Sequence, residues 1–202
     1  MENTTKNRIL DEALILFAEK GYKGANLRDL ATRLDLSKSA LYKHYNSKED
    51  IWNSLLDKME SYYAERFGSE SNLSPQPNSC DELLNISMGM VRFTVNDPQI
   101  ILTRKLLLTE QFHDERVKTM ATKYFLTGTK EIYAKIFEQM MADGFLRTSD
   151  PEMLSFSYTA PISSLIHLCD REPERQEEIF EEMEAFIKHF IEIHAVKQAA
   201  NQ

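Results

Sequence analysis

Apolar residues recur at intervals of three and four along nearly the whole chain, and no long segment alternates strictly between apolar and polar positions. This spacing gathers apolar side chains on one face of a helix, so the pattern predicts an all-α protein of about nine helices. The apolar face of the first predicted helix consists of Ile9, Ala13, Leu16 and Phe17. Gly21 is expected to end this helix, because glycine readily takes the backbone conformation that follows a helical C-terminus.

Two short helices are predicted next, and each begins after a residue whose side chain can cap it. Asn26 precedes the second helix, and Ser37 precedes the third. The inward faces comprise Leu27, Leu30, Ala31 and Leu34 in the second helix and Ala40, Leu41 and Tyr45 in the third. Helices this short are stable only when packed, so we expect both to pack on the first. Ser47 is expected to cap a fourth helix that runs to about residue 67.

One linker interrupts the helical pattern. Residues 68–80, "GSESNLSPQPNSC", are rich in Ser, Pro, Asn and Gly and offer little to bury. Further helical patterns cover residues 81–96, 98–111, 114–142, 150–171 and 173–197. The last residues, "VKQAANQ", are expected to fray.

The net charge of −8 is distributed unevenly, since residues 24–48 carry five basic side chains against two acidic ones. With its apolar side buried, the third helix leaves outside Lys38, Ser39, Tyr42, Lys43 and His44. Lysine and tyrosine donate hydrogen bonds to phosphates, and serine and lysine also reach base edges, so this surface suits the major groove of DNA. Basic charge by itself is a weak signal, because many solvated helix faces carry as much.

The order of residues over about the first quarter of the chain is a stronger signal. The stretch "ILDEALILFAEKGYKGANLRDLATRLDLSKSALYKHYNSKEDI" resembles the DNA-binding domain of the TetR (tetracycline-repressor-like) family of bacterial transcriptional regulators. The resemblance implies a three-helix helix-turn-helix DNA-binding domain at residues 1–48 and a helical ligand-binding and dimerisation domain at residues 49–202. It also implies a cytoplasmic, ligand-responsive regulator, with repression as the family default, that a small-molecule effector releases from a palindromic operator on double-stranded DNA.

The resemblance further assigns roles to individual residues. It implies that Asn26, Arg28 and Lys48 contact phosphates, that Lys38, Ser39 and Ala40 approach bases, and that Tyr42 and His44 grip the backbone, with Ser37 and Lys43 completing the DNA-binding set. Two positions depart from the family pattern. Asp35 stands where the family usually has glycine in the turn, and aspartate tolerates left-handed backbone well enough for the turn to survive. Ser39 replaces a glycine or similarly small residue, which bears on the bases that are read. Tyr45 is expected in the core rather than on DNA.

A DNA-binding domain that inserts one short helix into the groove contacts only a few base pairs, and it usually works as a dimer on two half-sites. The apolar stripes of the last two predicted helices have the spacing of a helix bundle and, with the resemblance, predict a homodimer. The predicted interface consists of Leu154, Tyr158, Leu165, Leu168, Ile179, Met183, Phe186, Phe190 and Ile193. The alternative is that these stripes pack only inside one chain.

The middle helices are rich in methionine and aromatic residues, most of which must form the core. Some are expected to line a cavity for a largely apolar effector, because methionine adapts its shape and aromatic rings supply contact area. The candidates are Met88, Phe93, Phe112, Tyr124, Phe125 and Tyr158.

Two other classes of function remain open. A helical ligand-binding protein that never touches DNA fits the acidic body of the chain. A metal-carboxylate helical-bundle enzyme would need more than one Glu-x-x-His motif, and Glu110 with His113 forms the only one. We therefore expect no enzyme activity, no metal and no cofactor. Cys80 and Cys169 lack zinc or redox spacing and are expected as reduced thiols. No apolar run of about 18 residues exists, so a membrane partner is not expected.

Overall fold

A computed structural model describes residues 5–67 and 76–196. Residues 68–75 of the predicted linker, and residues 197–202 of the stretch predicted to fray, lie outside the described residues. The α-helices are α1 (Thr5–Gly24), α2 (Leu27–Arg33), α3 (Lys38–Tyr42), α4 (Lys48–Phe67), α5 (Cys80–Asn96), α6 (Pro98–Glu110), α7 (Glu115–Thr122), α8 (Gly128–Ala142), α9 (Pro151–Arg171) and α10 (Gln176–His194). A bridge between Leu146 and Ala195 is the only β feature in these ranges, and the predicted all-α class is confirmed.

Local sequence signals set the helix ends as expected. The side chains of Asn26, Ser37 and Ser47 each accept a hydrogen bond from a backbone N–H of the helix that follows. Gly21 interrupts α1 with φ of 70° and ψ of 166°, so the regular part of this helix ends where predicted. Asp35 has a φ of 54° in the turn before α3. This is the left-handed conformation expected at this position of the turn.

The region predicted as one helix over residues 114–142 is continuous but not uniform. A π-helical turn, Lys123–Thr127, follows α7 directly and leads into α8, so α7 and α8 correspond to the one predicted helix and the described residues contain about the predicted number of helices. The backbone N–H of Gly128 donates to the carbonyl of Lys123, five residues back. A Cβ at residue 128 would lie 2.9 Å from that carbonyl oxygen, so the missing side chain permits the wider turn.

The chain forms two compact units that do not follow the order of the sequence. Unit 1 contains Met1–Asn72 and Pro98–Ala121, and unit 2 contains Leu73–Asp97 and Thr122–Gln202. In unit 1, α1 packs against α2, α4 and α6. Its fully buried side chains include Ile9, Leu16, Phe17, Leu30, Leu41, Ile51, Leu55 and Leu56. Compactness therefore groups α4 and α6 with the first three helices, whereas the functional division at residue 48 stays a prediction.

Unit 2 is built around α9. This helix packs against α5, α8 and α10, and α5 also packs against α10. The centre of the unit contains Leu83, Val91, Phe137, Tyr158, Ile179, Phe180, Met183 and Ile187. Pro161 lies within α9, which continues on both sides of it.

The predicted dimer stripe is largely part of this core. Leu154, Tyr158, Ile179, Met183 and Phe190 are buried, and Leu165, Leu168 and Phe186 pack against the same cluster. The five buried residues have little area left for a second subunit, whereas Leu165, Leu168 and Phe186 are only partly buried, so an interface role for these three and for Ile193 stays a prediction. Of the predicted set only Ile193 is exposed, at 48%. Spacings of three and four are common to every packed helix, so they cannot distinguish a partner helix of the same chain from one of a second chain.

Candidate nucleic-acid interface

The second and third helices pack through their apolar sides. Leu30, Ala31 and Leu34 of the α2 segment are buried, as is Leu41 of α3. The backbone N–H of Leu36 donates to the carbonyl of Ala31 at 2.9 Å and closes the turn between the two helices. Because α2 packs on both α1 and α3, a helix too short to be stable alone is held with its polar side towards solvent.

The solvent-facing side of α3 carries the residues predicted to meet DNA. Lys38, Ser39, Tyr42 and Lys43 are all exposed. The Lys38 ammonium lies 5.7 Å from the centroid of the Tyr42 ring, and the hydroxyls of Ser37 and Ser39 are 2.9 Å apart. Contacts of this kind limit side-chain freedom before a ligand arrives, and they reduce the entropy lost on binding.

Three further residues of this segment are less accessible. Ala40 and His44 are half-buried, so each presents only one edge to solvent. Tyr45 is buried, and its hydroxyl donates to the carbonyl of Lys6 at 3.5 Å. The expectation that Tyr45 belongs to the core is confirmed.

Ion pairs divide the cations of unit 1 into two groups. The pairs Lys20–Asp29 and Arg33–Glu19 tie α2 to α1. In contrast, no salt bridge between described residues involves Arg28, Lys38 or Lys43. These three side chains are free to meet an external anion such as a DNA phosphate.

The N-terminus of α2 presents one of these cations. Asn26 accepts the N–H groups of Arg28 and Asp29, each at 2.9 Å, so its carbonyl oxygen is occupied in capping the helix. Arg28 is exposed in the first turn, where the helix dipole also favours an anion. The arrangement suits a phosphate held by Arg28, with Asn26 setting the direction of the helix.

Lys48, at the start of α4, is placed differently from the other predicted phosphate contacts. Its ammonium donates to the carbonyl of Ala25 at 2.6 Å and lies 4.5 Å from the centroid of the Tyr22 ring. Burial lowers the pKa of Lys48, and the negative charge of Glu110 opposes that change. The bond to Ala25 uses one of its three N–H donors, and the half-buried position makes the group less accessible to a phosphate than Lys38 or Lys43.

The predicted effector-binding residues do not form one group. Phe112 lies in unit 1, in the turn after α6, and is 82% exposed, where it lines an open surface depression, so its role in effector binding stays a prediction. Met88 and Tyr158 are buried in the core of unit 2. Phe93, Tyr124 and Phe125 are half-buried in the same unit. The sequence placed Phe112 between the predicted helices 98–111 and 114–142, but its aromatic character carried no information about its exposure.

A buried cluster of hydroxyl groups in unit 2 was not predicted. The Tyr158 hydroxyl donates to the Ser87 hydroxyl at 2.7 Å, and the Ser87 and Tyr133 hydroxyls are 3.0 Å apart. The rings of Phe137 and Phe190 pack on Tyr158, with centroid distances of 5.2 and 4.7 Å. Burial raises the pKa of both tyrosines, so their hydroxyls remain neutral.

The sequence did contain a signal for this cluster. Ser87 lies four residues from both Leu83 and Val91, so it interrupts the apolar stripe of α5 with a hydroxyl. A polar residue at a core position needs a buried partner, and the aromatic residues of α8 and α9 supply it. The partner itself could not be read from the spacing.

Two surface depressions lie on the described parts of the chain. One of about 300 Å³ is lined by residues of the 111–118 turn, and one of about 280 Å³ is lined by residues near Cys80 and Phe145. Cys80 and Cys169 form no disulfide bond among the described residues. Among the described residues, no three His, Cys, Asp or Glu side chains are grouped as metal ligands.

None of the helices in the described residues combines the length and the apolar character needed to cross a bilayer.

Comparison with known proteins adds to this geometry. Residues 9–55 match the model of a family described as bacterial regulatory proteins, tetR family. The chain is 38% identical over 58 residues to IcaR of Staphylococcus epidermidis, the HTH-type negative transcriptional regulator of the biofilm operon icaADBC. This match covers 29% of the chain and 31% of IcaR, so the chain spans less than a third of the length of the curated relative.

Solved structures are similar to nearly the whole chain. A TetR transcriptional regulator from Chloroflexus aurantiacus has a TM-score of 0.73 at 18% identity, and the match covers 95% of this chain and 96% of that one. The complex of SmeT with triclosan has a TM-score of 0.72 at 16% identity, with coverage of 96% and 92%. SmeT is the repressor of the Stenotrophomonas maltophilia multidrug efflux pump SmeDEF. At such low identities the likeness shows the fold.

Proposed function

We propose that the chain is a DNA-binding transcriptional regulator of the tetR family of bacterial regulatory proteins and that it acts as a repressor in the cytoplasm. The observation that carries the proposal is the outer side of α3. There Lys38, Tyr42 and Lys43 face solvent, and neither lysine has an acidic partner among the described residues. A cationic edge with one aromatic ring, on a helix this short, fits the major groove, and Arg28 adds a contact to phosphate.

Selection of bound sequences from a random duplex pool tests this proposal. We expect a two-fold symmetric site whose half-sites lie about 34–36 Å apart or a multiple of that distance. Lys43→Ala should weaken binding to every sequence, because it removes a phosphate contact. It should also lower by about one unit the salt slope, which is the steepness with which the logarithm of the binding constant falls against the logarithm of the salt concentration. Lys38→Ala should change the preferred bases instead. A pool that shows no enrichment with the wild-type chain would contradict the proposal.

We propose that the functional unit is a homodimer formed through the outward side of α9. Met153 and Phe156 are 64% and 45% exposed on this helix. Ala160 and Ser164 follow on the same side at helical spacing. Two large apolar side chains exposed one helical turn apart form a patch of the kind that marks protein contacts, and the small residues beyond them permit close approach of a second helix.

Sedimentation equilibrium checks this interface. Phe156→Glu is expected to convert the dimer to a monomer, because a charge cannot be desolvated at a paired apolar face without a partner. Leu108→Glu, at another exposed apolar position but in unit 1, is the matched control and should leave the dimer intact. A Phe156→Glu protein that remains dimeric at the wild-type concentration range would exclude this side of α9.

We propose that unit 2 binds a small, largely apolar effector that lowers DNA affinity. Its core offers aromatic area beside the neutral hydroxyls of Ser87, Tyr133 and Tyr158. SmeT, a protein of similar fold, forms a complex with triclosan. An effector can act only through a difference in its affinity for the DNA-binding and released states. Titration of apolar aromatic compounds, beginning with triclosan, into the DNA complex tests the proposal, and a compound that binds without changing DNA affinity at any concentration would contradict it.

A further inference from the structure

The α1–α2 junction, residues 21–26, connects the first helix to the helix-turn-helix formed by α2 and α3. Gly21 turns the chain with a positive φ, and Asn26 caps α2 at the other end. A rotation within the junction would move the N-terminus of α2 and the Arg28 side chain with it. Two charged residues that are distant in sequence, Lys48 and Glu110, hold this short segment.

Glu110, the last residue of α6, contacts the junction through its carboxylate. This side chain is 7% exposed, and its Oε1 atom accepts the backbone N–H of Tyr22 at 3.0 Å. A Cβ on Gly21 would lie 2.7 Å from the same oxygen. The carboxylate can therefore occupy this position because residue 21 has no side chain. The positive φ of residue 21 is a second, independent reason for glycine at the same place.

Lys48 contacts the junction through its ammonium group. It donates to the carbonyl of Ala25, directly before the capping residue Asn26, and it lies over the ring of Tyr22. That ring packs in turn on Trp52, with a centroid distance of 4.8 Å. Hydrogen bonds from charged donors are shorter and stronger than neutral ones, and a partly buried cation over a ring adds to this attraction.

The surroundings of Lys48 differ from those of Lys38 and Lys43. Those two lysines are exposed on the side of α3 that faces solvent, whereas Lys48 is half-buried with its hydrogen bond satisfied inside unit 1. We infer that Lys48 and Glu110 are positioning residues of the helix-turn-helix, because they fix the N-terminus of α2 through Ala25 and Tyr22. Lys48 then does not itself touch a phosphate. The inference rests on the proposed DNA-binding function.

The salt dependence of DNA binding separates a positioning lysine from a phosphate contact. Lys48→Met keeps the length of the side chain and removes the donor, and Lys43→Met makes the same change at an exposed position. Binding of each variant to one fixed random-sequence duplex is measured by fluorescence anisotropy over a series of KCl concentrations. Lys43→Met should lower the salt slope by about one unit. Lys48→Met should keep the wild-type slope and bind about tenfold more weakly at every salt concentration, the size expected for one lost hydrogen bond to a charged group.

The Glu110 variants provide a second measurement that does not need DNA. Glu110→Gln keeps an acceptor for the Tyr22 N–H, and Glu110→Ala does not. Amide hydrogen exchange at Tyr22 should be faster in Glu110→Ala than in the wild type and largely restored in Glu110→Gln. DNA affinity should follow the same order, with the salt slope unchanged in both variants.

The outcomes distinguish this inference from the function on which it rests. If Lys48→Met loses the same slope as Lys43→Met, or if Lys48→Met and Glu110→Ala bind DNA as the wild type does, the positioning role is overturned while DNA binding stands. If the wild-type chain shows no salt-dependent binding to any duplex, the proposed function fails and the inference fails with it.

Discussion

Polar contacts between helices inside unit 1 differ in kind from those in the core of unit 2. In unit 1, polar and charged side chains join helices that are distant in sequence: the Trp52 indole N–H donates to Asp114 at 2.9 Å, and Arg116 binds Asp57 and Glu60 of α4. In the core of unit 2, the corresponding links are packed rings and neutral hydroxyl groups around Tyr158. Hydrogen bonds and ion pairs depend on direction, so they hold the helices of unit 1 at defined angles. Ring packing depends mainly on volume, so changes in unit 2 should act on stability first.

The largest expected effect tests the aromatic core of unit 2. Phe137 is fully buried, and its ring contacts those of Tyr133, Tyr158 and Phe190. Phe137→Ala should lower the free energy of unfolding by about 3–5 kcal/mol, the usual cost of emptying such a position. Phe112→Ala makes the same change at an exposed site and should alter it by less than about 0.5 kcal/mol. Denaturant unfolding measures both, and equal losses would mean that Phe112 is buried in solution.

The next effect tests the junction in unit 1. Gly21→Ala forces a side chain into a positive φ and against the Glu110 carboxylate, so we expect a loss of roughly 2–3 kcal/mol together with weaker DNA binding. Gly89→Ala is the matched control, because a Cβ at this helical position meets nothing within 4 Å. It should stabilise the protein by about 0.5–1 kcal/mol, since alanine is the better helix former. Thermal unfolding compares the stability of the two variants. If Gly21→Ala is as stable as the wild type, the junction tolerates a side chain at residue 21.

A smaller effect concerns the hydroxyl cluster. Ser87→Ala removes the partner that Tyr133 and Tyr158 share and should cost about 1–3 kcal/mol, because two buried hydroxyls lose a hydrogen bond. Tyr158→Phe removes one hydroxyl and leaves Ser87 paired with Tyr133, so its cost should be nearer 1 kcal/mol. Denaturant unfolding of the two single variants and the double variant gives the coupling between them. Additive losses would contradict a shared network.

The smallest effect is a pH dependence in unit 1. Burial on its own would raise the pKa of Asp114, but hydrogen bonds from the Trp52 indole and from the N–H groups of Val117 and Arg116 hold it below its ordinary value of 3.8. A lowered pKa in the folded state stabilises the protein above that ordinary value, and the contribution is lost as the pH falls through the folded-state pKa.

Asp114→Asn keeps a capping oxygen for α7, removes this charge, and replaces the oxygen that accepts the Trp52 indole N–H with an amide group. At neutral pH, the free energy of unfolding of the variant should be lower than that of the wild type, by less than about 1 kcal/mol. The difference should shrink in acid, below the ordinary pKa of 3.8, where the wild-type carboxylate is protonated in both states. Denaturant titrations at several pH values check this, and a constant difference down to strong acid would exclude the charge as its source.

Local signals predicted a large part of the fold. The caps Asn26, Ser37 and Ser47 marked helix starts correctly, and Asp35 entered the left-handed region as its position required. The polar side of α3 was also predictable, because amphipathic spacing depends on residues within one or two turns. The π-helical turn was not predictable, since it leaves the apolar period nearly unchanged.

The sequence by itself therefore determined where the helices begin and which side of the third one is polar, because capping and periodicity act over a few residues. Only the tertiary structure decided that the apolar stripes of α9 and α10 pack within one chain and that Phe112 lies in an exposed turn. It also decided the partners of Lys48 and Glu110, which lie 23 and 88 residues away. Contacts at such separations depend on how helices pack, and helical spacing carries no information about the partner.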